Sequence, residues 1–522
     1  MSEFWKPSLS TNLYVRWRSQ LRTWASFWRK ASSSILVLFG ASILLGGLAS
    51  ASPQSDREAR YYPLATLPIP PGIVLEAGAI QVLPGSKLAV STRLGDIYIV
   101  DGAFANSPTN VTFKRFASGL HEVLGLWTSG DGTIYATQRG EVTRLKDTDA
   151  DGRADLFETV ADGWGINGDY HEYAFGSKPD RDGNIWVVLC LTGSFNSESK
   201  FRGWALRVTP DGRVIPTTSG LRSPGGVATN YLGDMFYTDN QGPWNGTCWL
   251  KPLVPGGFVG HPGGFGWYAQ ATNLGGAPKE PLSGSRIAVE RAKIPEFVPP
   301  AIAFPYNKMG QSASGIANDY TAGKFGPFTN QLFVGDQTWS TVMRVFLERV
   351  NGVYQGACFP FREGLASGSL SLEMAPDGSL FVGGTDRGWG ARGGKPFALE
   401  RLRWSGQTPF EIHEMRARPD GFELTFTEPV DVASAGSPSS YQFEDYTYIY
   451  QASYGSPEVD GAKPPIESAK VSSDAKSVQL KVKLTPGHLH ELKLPGVRSA
   501  SGEPLLHPVG YYWLNEIPAK LP

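Results

Sequence analysis

The stretch LGLWTSGDGTIYATQRGEVTRL, residues 124–145, shows the pattern that decides the fold. An apolar strand leads into the turn SGDG, and a strand rich in β-branched and aromatic residues follows it. Asp-Gly between two alternating segments is typical of a β-hairpin, because such turns need residues that tolerate a positive φ. The stretch therefore predicts antiparallel strands joined by tight turns.

The same unit recurs at intervals of about 40–50 residues, which is typical of blades around an axis. One such sheet leaves both faces apolar, so it must stack on its neighbours. We expect an all-β fold with a six-bladed β-propeller over residues 71–404. A Gly/Pro-rich stretch, residues 250–300, breaks the rhythm and is predicted to be an insertion between two blades. The further copies of the unit are residues 87–102, 174–190, 225–242, 330–347 and 370–388.

The pattern changes after Trp404. Charged and apolar residues alternate over 421–431 and 476–484, and the aromatic segment VGYYWLNEI closes the chain at 509–517. Short alternating strands with turn-rich connections are typical of a β-sandwich. We predict a small Ig-like β-sandwich over residues 405–522.

The N-terminus carries export features. Basic residues precede a nearly continuous apolar run at 35–48, and the small residues Ala49-Ser50-Ala51 follow it. This order predicts a signal peptide over residues 1–51 and an exported protein, periplasmic or extracellular. The alternative is an uncleaved anchor, which would be the chain's only contact with a membrane. Residues 52–70 are predicted to be a linker.

Charge and residue spacing indicate which ligands and metals the chain could bind. The formal net charge is −1, so nothing favours nucleic acid as a ligand. Cys190, Cys248 and Cys358 match no zinc or haem spacing, and either one pair forms a disulfide or all three are buried as small apolar residues. His488 and His490 lie on one face of a strand and are a candidate metal pair, although surface histidines are more common.

One acidic segment matches a calcium loop position by position. Gly152 stands where the backbone must turn sharply, and Glu158 stands at the twelfth position, where it can chelate with both oxygens. The alternative is a solvated acidic turn between blades. We predict a structural Ca²⁺ that pins a blade connection. Its proposed ligands are Asp147, Asp149, Asp151, Arg153, Asp155 and Glu158.

In a propeller, a ligand site forms at the mouth of the central channel from loops of several blades. Four loops carry polar residues beside Gly and Pro: residues 121–122, 169–172, 222–225 and 240–243. Across residues 70–404 the chain resembles the soluble quinoprotein sugar dehydrogenases, the glucose/sorbosone dehydrogenase family. It is more similar still to the dehydrogenase-like propellers of planctomycete and verrucomicrobial bacteria.

The resemblance implies a six-bladed propeller with pyrroloquinoline quinone and Ca²⁺ as cofactors. His171, in YHEYAFGSKPDRDGNIWVV (170–188), matches the family's catalytic histidine. Asp169 or Glu172 would orient its imidazole. The implied cofactor contacts are Arg222 for the quinone, Gln241, Gly242 and Pro243 for the cofactor calcium, and His121, Gln138 and Arg139 in the blade that flanks the quinone.

The chain departs from the family where cations are expected. The family has a Lys where this chain has the stretch 336–339, and two Arg where it has the stretch 367–370. Such cations neutralise the quinone's carboxylates, so their loss weakens the attraction for that cofactor. Arg387 and Arg392 are candidates to replace them.

Two main functions follow. The first is an exported oxidoreductase that oxidises a sugar or related alcohol and passes electrons to a separate acceptor protein. The alternative is a propeller without cofactor that binds a glycan or a partner protein. A weaker third hypothesis is a lyase or hydrolase that uses Ca²⁺ and His171 on a polysaccharide.

Overall fold

The computed structural model describes residues 52–388 and 390–519, so the predicted signal segment lies outside the described residues. Residues 52–70, which we expected to be a linker, are instead structured. Helix α1 (Pro53–Ala59) begins at Ser52, whose hydroxyl accepts from Ser55 N at 3.1 Å, and strand β1 (Leu64–Thr66) follows it. The polar, Pro-bearing composition misled the prediction because Ser-Pro also starts a helix.

The blades are four-stranded antiparallel sheets in which consecutive strands pair. Their hairpins follow the predicted chemistry: Gly132 has φ +84°, and the Asp131 carboxylate accepts from Thr133 N. Blade 1 has β2 (Ala77–Leu83), β3 (Lys87–Thr92), β4 (Ile97–Asp101) and β5 (Thr112–Ala117); blade 2 has β6 (Gly125–Thr128), β7 (Ile134–Thr137), β8 (Val142–Lys146) and β9 (Leu156–Ala161); blade 3 has β10 (Ala174–Pro179), β11 (Ile185–Leu189), β12 (Trp204–Val208) and β13 (Val214–Ser219).

Three further blades complete the ring, which confirms the predicted six-bladed, all-β architecture. In the last blade β1 supplies the outermost strand, so the two ends of the ring are joined through backbone hydrogen bonds. Blade 4 has β14 (Pro224–Thr229), β15 (Met235–Asp239), β16 (Cys248–Pro252) and β17 (Ile302–Phe304); blade 5 has β18 (Ala313–Asn318), β19 (Leu332–Asp336), β20 (Thr341–Val350) and β21 (Val353–Arg362); blade 6 has β22 (Ser369–Met374), β23 (Ser379–Thr385) and β24 (Phe397–Arg403) with β1.

The first strands of the six blades meet around a common axis. Each of them contacts the next, and β22 contacts β2, so the ring is closed. A cavity of about 50 Å³ on the axis is lined by all six. The strands approach closely there: a Cβ at Gly125 would lie 2.3 Å from the carbonyl oxygen of Gly176. Larger residues at such positions would force the blades apart.

The Gly/Pro-rich insertion is not between blades, as we predicted. It lies inside blade 4, between β16 and β17, and carries a 3₁₀ helix (Pro262–Gln270) and helix α2 (Ile287–Arg291). The composition correctly marked an irregular segment, but no sequence feature distinguished a long third turn of one blade from a connection between two blades.

The C-terminal region packs two sheets against each other. One contains β25 (Ile412–Arg418), β26 (Gly421–Phe426), β29 (Ser468–Val471) and β30 (Ser477–Lys481), and the other contains β27 (Gln442–Tyr448), β28 (Glu458–Ala462), β31 (His488–Lys493) and β32 (Val509–Leu514). Two short helices, α3 (Val432–Ala435) and a 3₁₀ helix (Pro438–Ser440), connect β26 to β27.

The second of these sheets continues blade 5. Strand β32 pairs with β21, with Cys358 opposite Tyr511, so the two regions form one eight-stranded sheet. Phe346 and Phe359 of blade 5 lie in the same apolar cluster as Phe422 and Tyr512 of the C-terminal region. The C-terminal region is therefore joined to the propeller by backbone pairing and by a shared core.

A buried charged cluster holds α1 to both regions. The imidazole of His507 lies 2.6 Å from Glu411 Oε1 and 2.9 Å from Glu58 Oε1, and Glu58 Oε2 lies 3.3 Å from Arg362 Nη1. His507 is fully buried, which disfavours its charge, but the two carboxylates outweigh that effect and raise its pKa to about 9. Within the described residues, no helix is long and apolar enough to cross a bilayer.

Candidate active site at one end of the propeller axis

A cavity of about 470 Å³ opens at one end of the axis. It shares Leu124, Phe175, Gly225 and Leu370 with the small axial cavity, so it lies over the channel. A groove of about 580 Å³ elsewhere, with residues such as Asp180 among its lining, shares none of these axial residues. The cavity over the channel is therefore the candidate site.

His171 lines this cavity on a loop held by Asp169. Oδ1 of Asp169 accepts from the backbone N–H groups of His171 and Gly193, both at 2.8 Å, and lies 3.9 Å from His171 Nδ1. The imidazole is about one-third exposed. Burial lowers its pKa, and the charges of Arg222 and Arg139 add to this although Asp169 opposes it. A neutral imidazole facing a cavity can accept a proton.

A buried network of charges supports the loop from below. Arg139 donates to the carbonyl oxygens of Asp169 at 2.9 Å and Tyr170 at 2.8 Å. Its Nε lies 2.5 Å from Glu122, which also accepts from Arg93 Nε at 2.7 Å. Arg139, predicted to flank the quinone, therefore positions the His171 loop and does not line the cavity.

Glu172 does not orient the imidazole, contrary to one of our two predictions. Its carboxylate is buried and accepts from Asn167 N and Thr192 Oγ1, both at 2.6 Å. Adjacent residues in this loop point in opposite directions, so Asp169 and not Glu172 lies beside His171. The sequence alone did not show which carboxylate faces the ring.

Arg222 lines the cavity from blade 4. It is 4% exposed, and Nη1 donates to the carbonyl oxygens of Gln241 at 2.6 Å and Asn240 at 3.3 Å. Its Nε is buried and has no partner among the described residues. Burial is the main cause that lowers its pKa. No carboxylate of the described residues forms an ion pair with this guanidinium, so its positive charge at the cavity wall favours an anionic or polar ligand.

The loop at 241–243 does not form an open cradle for a cation. The carbonyl of Gln241 faces the Arg222 guanidinium, and that of Gly242 accepts from Asn245 N at 3.0 Å and Gly455 N at 3.1 Å. Pro243 forms a bridge with Tyr454. Because N–H donors occupy these carbonyls, this loop does not fit the calcium site that the family resemblance implied.

Two predicted flanking residues lie off the cavity. The His121 side chain is exposed, and its backbone N–H donates to the Gln138 side chain. Gln138 also donates to Glu141 at 3.0 Å. Neither residue is among those that line the cavity. The structure brings together His171, Arg222 and Gln241 from the predicted set.

The charge of the cavity wall comes from arginines. Where the family has cations, Gln337, Thr338 and Leu370 line the cavity and are neutral. Arg387, which we considered as a replacement, does line it, and Arg93 joins it; Arg392 lies instead over the Trp339 ring. No Asp or Glu is among the described residues of the wall.

Sequence reasoning missed Arg93 and the aromatic rim. Arg93 comes directly after β3, whereas Arg139 comes two residues after β7, so aligning the blade repeats places Arg93 opposite Gln138 and does not reveal it. Phe195 and Tyr454 line the mouth at 51% and 55% exposure, with ring centroids 6.4 Å apart. Tyr454 comes from the C-terminal region, and no local pattern predicts that it reaches the propeller axis.

The acidic loop matches the calcium prediction only in part. Asp147, Asp149 and Asp151 each bring a carboxylate oxygen within 4.8 Å of the others. Asp155 accepts instead from Thr148 N at 2.9 Å, and Glu158 lies in β9, where it pairs with Arg144. Glu158 is thus not placed as a bidentate ligand, because the strand begins two residues before it. Arg153 donates its N–H to Asp151 at 2.7 Å.

The other candidate groups are structural. Cys190, Cys248 and Cys358 are free and buried, in agreement with the second alternative. His490 is fully buried, and the side chain of His488 is 16% exposed, with Nδ1 3.4 Å from Asp445 Oδ1. The first ring therefore lies inside the fold and the second is partly exposed.

Comparisons with known proteins give one family match and several similar solved structures. Residues 110–358 match the family described as "Domain of unknown function (DUF7133)". No curated protein matches the chain. A PQQ-bound aldose sugar dehydrogenase from Streptomyces coelicolor is similar, at 18% identity over 66% of this chain and 98% of that chain, with a TM-score of 0.47. The holo form of a pyranose dehydrogenase PQQ domain from Coprinopsis cinerea is similar at 12% identity over 66% of this chain and 95% of that chain, with a TM-score of 0.46.

A putative oxidoreductase (glucose dehydrogenase) from Thermus thermophilus is also similar, at 19% identity over 63% of this chain and 97% of that chain, with a TM-score of 0.45. The similar solved structures include sugar dehydrogenases. The planctomycete and verrucomicrobial branch stays a prediction.

Proposed function

We propose that the chain is an exported quinoprotein-like oxidoreductase that oxidises a sugar or related alcohol at the channel mouth. One observation carries the proposal: His171 and three arginines line a cavity over the propeller axis, with no carboxylate among its described lining residues. A pocket with a neutral base and an excess of guanidinium groups suits an anionic cofactor beside an uncharged polyol.

The residues present fit pyrroloquinoline quinone in charge. Arg222 would hold one part of the quinone, and Arg387 and Arg93 would face its carboxylates. Arg387 is paired with Glu76, whereas Arg93 and Arg139 share the single carboxylate of Glu122, so one positive charge remains unbalanced there in addition to that of Arg222. When bound, the quinone supplies the acceptor for two electrons.

The chain's own residues supply the proton chemistry. His171 takes the proton from the reacting hydroxyl, because its lowered pKa keeps the ring neutral at physiological pH. Asp169 fixes the loop through two backbone N–H groups and lies on the Nδ1 side of the ring, where it stabilises the imidazolium that forms. Arg139 keeps the loop in place. Electrons then pass to a separate acceptor protein.

The test is dye reduction by the purified full chain with quinone, with and without Ca²⁺, across a panel of aldoses. We expect turnover, and we expect His171→Ala to lower it by about 100-fold or more. His121→Ala is the matched control, since that imidazole lies off the cavity. Absence of both a quinone-induced spectral change and dye reduction would refute the proposal, as would full activity in His171→Ala.

A second function is favoured by the loop at 241–243. Its carbonyls already accept N–H donors, which suits a propeller that binds a glycan or a partner protein without cofactor. Retention of the chain on a glycan array, combined with no turnover in the dye assay, would support this alternative.

We also propose that Ca²⁺ binds the acidic loop between β8 and β9 and stiffens the connection there. The three converging carboxylates and the unpartnered, buried Oδ1 of Asp147 support this proposal. Addition of Ca²⁺ should raise the Tm of the full chain, and Asp149→Asn should abolish the rise. An unchanged Tm at millimolar Ca²⁺ would count against the site.

A further inference from the structure

An aromatic pair stands at the rim of the cavity. Phe195 and Tyr454 are both more than half exposed, and their rings are inclined by 43°. Two large exposed rings side by side at a cavity mouth are costly to solvate and typical of a ligand-contacting surface. Flat apolar rings suit the apolar face of a sugar ring.

Backbone hydrogen bonds fix the segments that carry both rings. Phe195 projects from a tight turn in which the N–H groups of Phe195 and Asn196 donate to Thr192 O, both at 3.1 Å. The Tyr454 segment is bound to the propeller, because Trp244 N donates to Gln451 O at 2.6 Å. The Arg222 guanidinium carbon lies 5.2 Å from the Tyr454 ring centroid, so this ring also covers the cavity wall.

A second hollow adjoins the first across Phe195. It is wide and open, and it shares Gly193 and Phe195 with the cavity. Its wall carries carboxylate groups, which the described lining of the arginine-lined cavity lacks, together with amide groups. The side chains that contribute are Asn167, Asp169, Thr192, Asn196 and Glu198.

Two of these polar side chains have hydrogen-bonding atoms that no other protein group in the described residues contacts. Asn196 and Glu198 are both exposed, and in the described part of the chain the Asn196 side chain has no protein partner, while Glu198 accepts only at Oε2, from Asn167 Nδ2 at 3.3 Å. An amide and a carboxylate together offer donors and acceptors in the mixture that vicinal hydroxyls require. An exposed aromatic ring beside such groups matches a polyol with one apolar face.

We propose that the ligand of this site is an oligosaccharide and that the hollow beside Phe195 is a second sugar subsite. One ring occupies the cavity below Tyr454, and the next ring crosses Phe195 and bonds to Asn196 and Glu198. Only one part of this proposal, that the inner ring is the ring that is oxidised, rests on the proposed function. The C-terminal region thereby contributes Tyr454 to substrate recognition.

The test measures binding without quinone, so that it is independent of turnover. Glucose, galactose, mannose, xylose and N-acetylglucosamine are titrated into the full chain by calorimetry, each beside its α- and β-linked trisaccharides. We expect at least one trisaccharide to bind about tenfold more tightly than its monosaccharide. Asn196→Ala should reduce that ratio by about 2- to 10-fold, the worth of a hydrogen bond or two.

Phe195→Ala should weaken the trisaccharide, and Phe195→Leu, which keeps apolar volume without a flat ring, should do the same in a folded protein. Tyr231→Ala is the matched control, because that ring is 52% exposed but lies in the turn between β14 and β15, away from both hollows. Equal affinity for monomer and trimer, no binding of any sugar, or unchanged affinity in the Phe195 variants would overturn the inference.

The two proposals fail separately. Trisaccharide binding without dye reduction would leave this subsite intact and refute the oxidoreductase. If the chain reduces the dye with monosaccharides, and neither added trisaccharide nor Phe195→Leu changes the rate, the oxidoreductase is supported and the subsite is refuted.

Discussion

His171 and His507 are the same chemical group in two opposite settings. The nearest carboxylate oxygen to His171 Nδ1 lies 3.9 Å away, and arginines on two sides disfavour its charge. His507 lies within 3 Å of two carboxylates and is fully buried. The first ring is kept neutral beside a cavity, and the second is kept charged inside the fold. The balance of neighbouring charges, more than burial, decides which histidine can act as a base.

The largest effect is expected from His507→Ala. The substitution leaves the carboxylates of Glu58 and Glu411 buried without the imidazolium between them. Arg362 is then the cation that remains within 4 Å of Glu58. Removal of one partner from a buried ion cluster costs about 3–5 kcal/mol, and urea unfolding followed by fluorescence measures the loss. The exposed His121, changed to Ala, should shift the free energy of unfolding by no more than about 0.5 kcal/mol. Similar losses in both variants would contradict the comparison.

The pH dependence sharpens the contrast. In the folded chain the pKa of His507 is raised to about 9, from an ordinary 6.5. Its contribution to stability is therefore complete below pH 6.5 and disappears as pH rises through about 9. The difference in unfolding free energy between the natural chain and His507→Gln should shrink over this window by an amount on the order of 1–3 kcal/mol. A difference that grows with pH would show that the ring is neutral.

Arg139→Gln tests the setting of His171. The loop at Asp169 and Tyr170 loses two donors, and buried Glu122 keeps only Arg93 as a partner, which together should cost about 1–3 kcal/mol. Because Arg139 contributes to the lowered pKa of His171, that pKa should rise, and NMR titration of the imidazole measures it. Arg207→Gln, which changes an arginine that is not among the charges acting on His171, should leave the titration unaltered.

The smallest effect on stability is expected from His171→Gln. The ring is about one-third exposed and its contact with Asp169 is long, so the free energy of unfolding should change by no more than about 0.5 kcal/mol. Urea unfolding checks this in parallel with the dye assay. A large loss of stability would mean that His171 is structural, like His507.

The sequence predicted the blades because their signal is local. Each hairpin carries its own turn residues and its own alternation, so the count of six could be read from residues 87 to 388. The same local reading failed for residues 52–70, since the pairing of β1 with β24 joins segments more than 300 residues apart. Long-range pairing leaves no local signature.

The site was predicted in outline for the same reason. His171, Arg222 and Gln241 lie on loops that follow recognisable strands, and the structure brings all three to one cavity. The sequence did not predict where the groups around these residues point. The Glu172 side chain points into the fold, and the Gln241 carbonyl faces a guanidinium. Tyr454 enters from a region whose position depends on β-sheet pairing with blade 5.

That pairing has a practical consequence for anyone who divides the protein. Strand β21 pairs on its outer side with β32 at Gly356, Ala357 and Cys358, so a chain cut after Trp404 would open this edge and expose the apolar core that blade 5 shares with the C-terminal region. Such an edge recruits further strands, and the fragment would tend to aggregate. The propeller is thus not an autonomous module, and recombination of this ring with other appendages would have to supply a replacement strand as well as a new function.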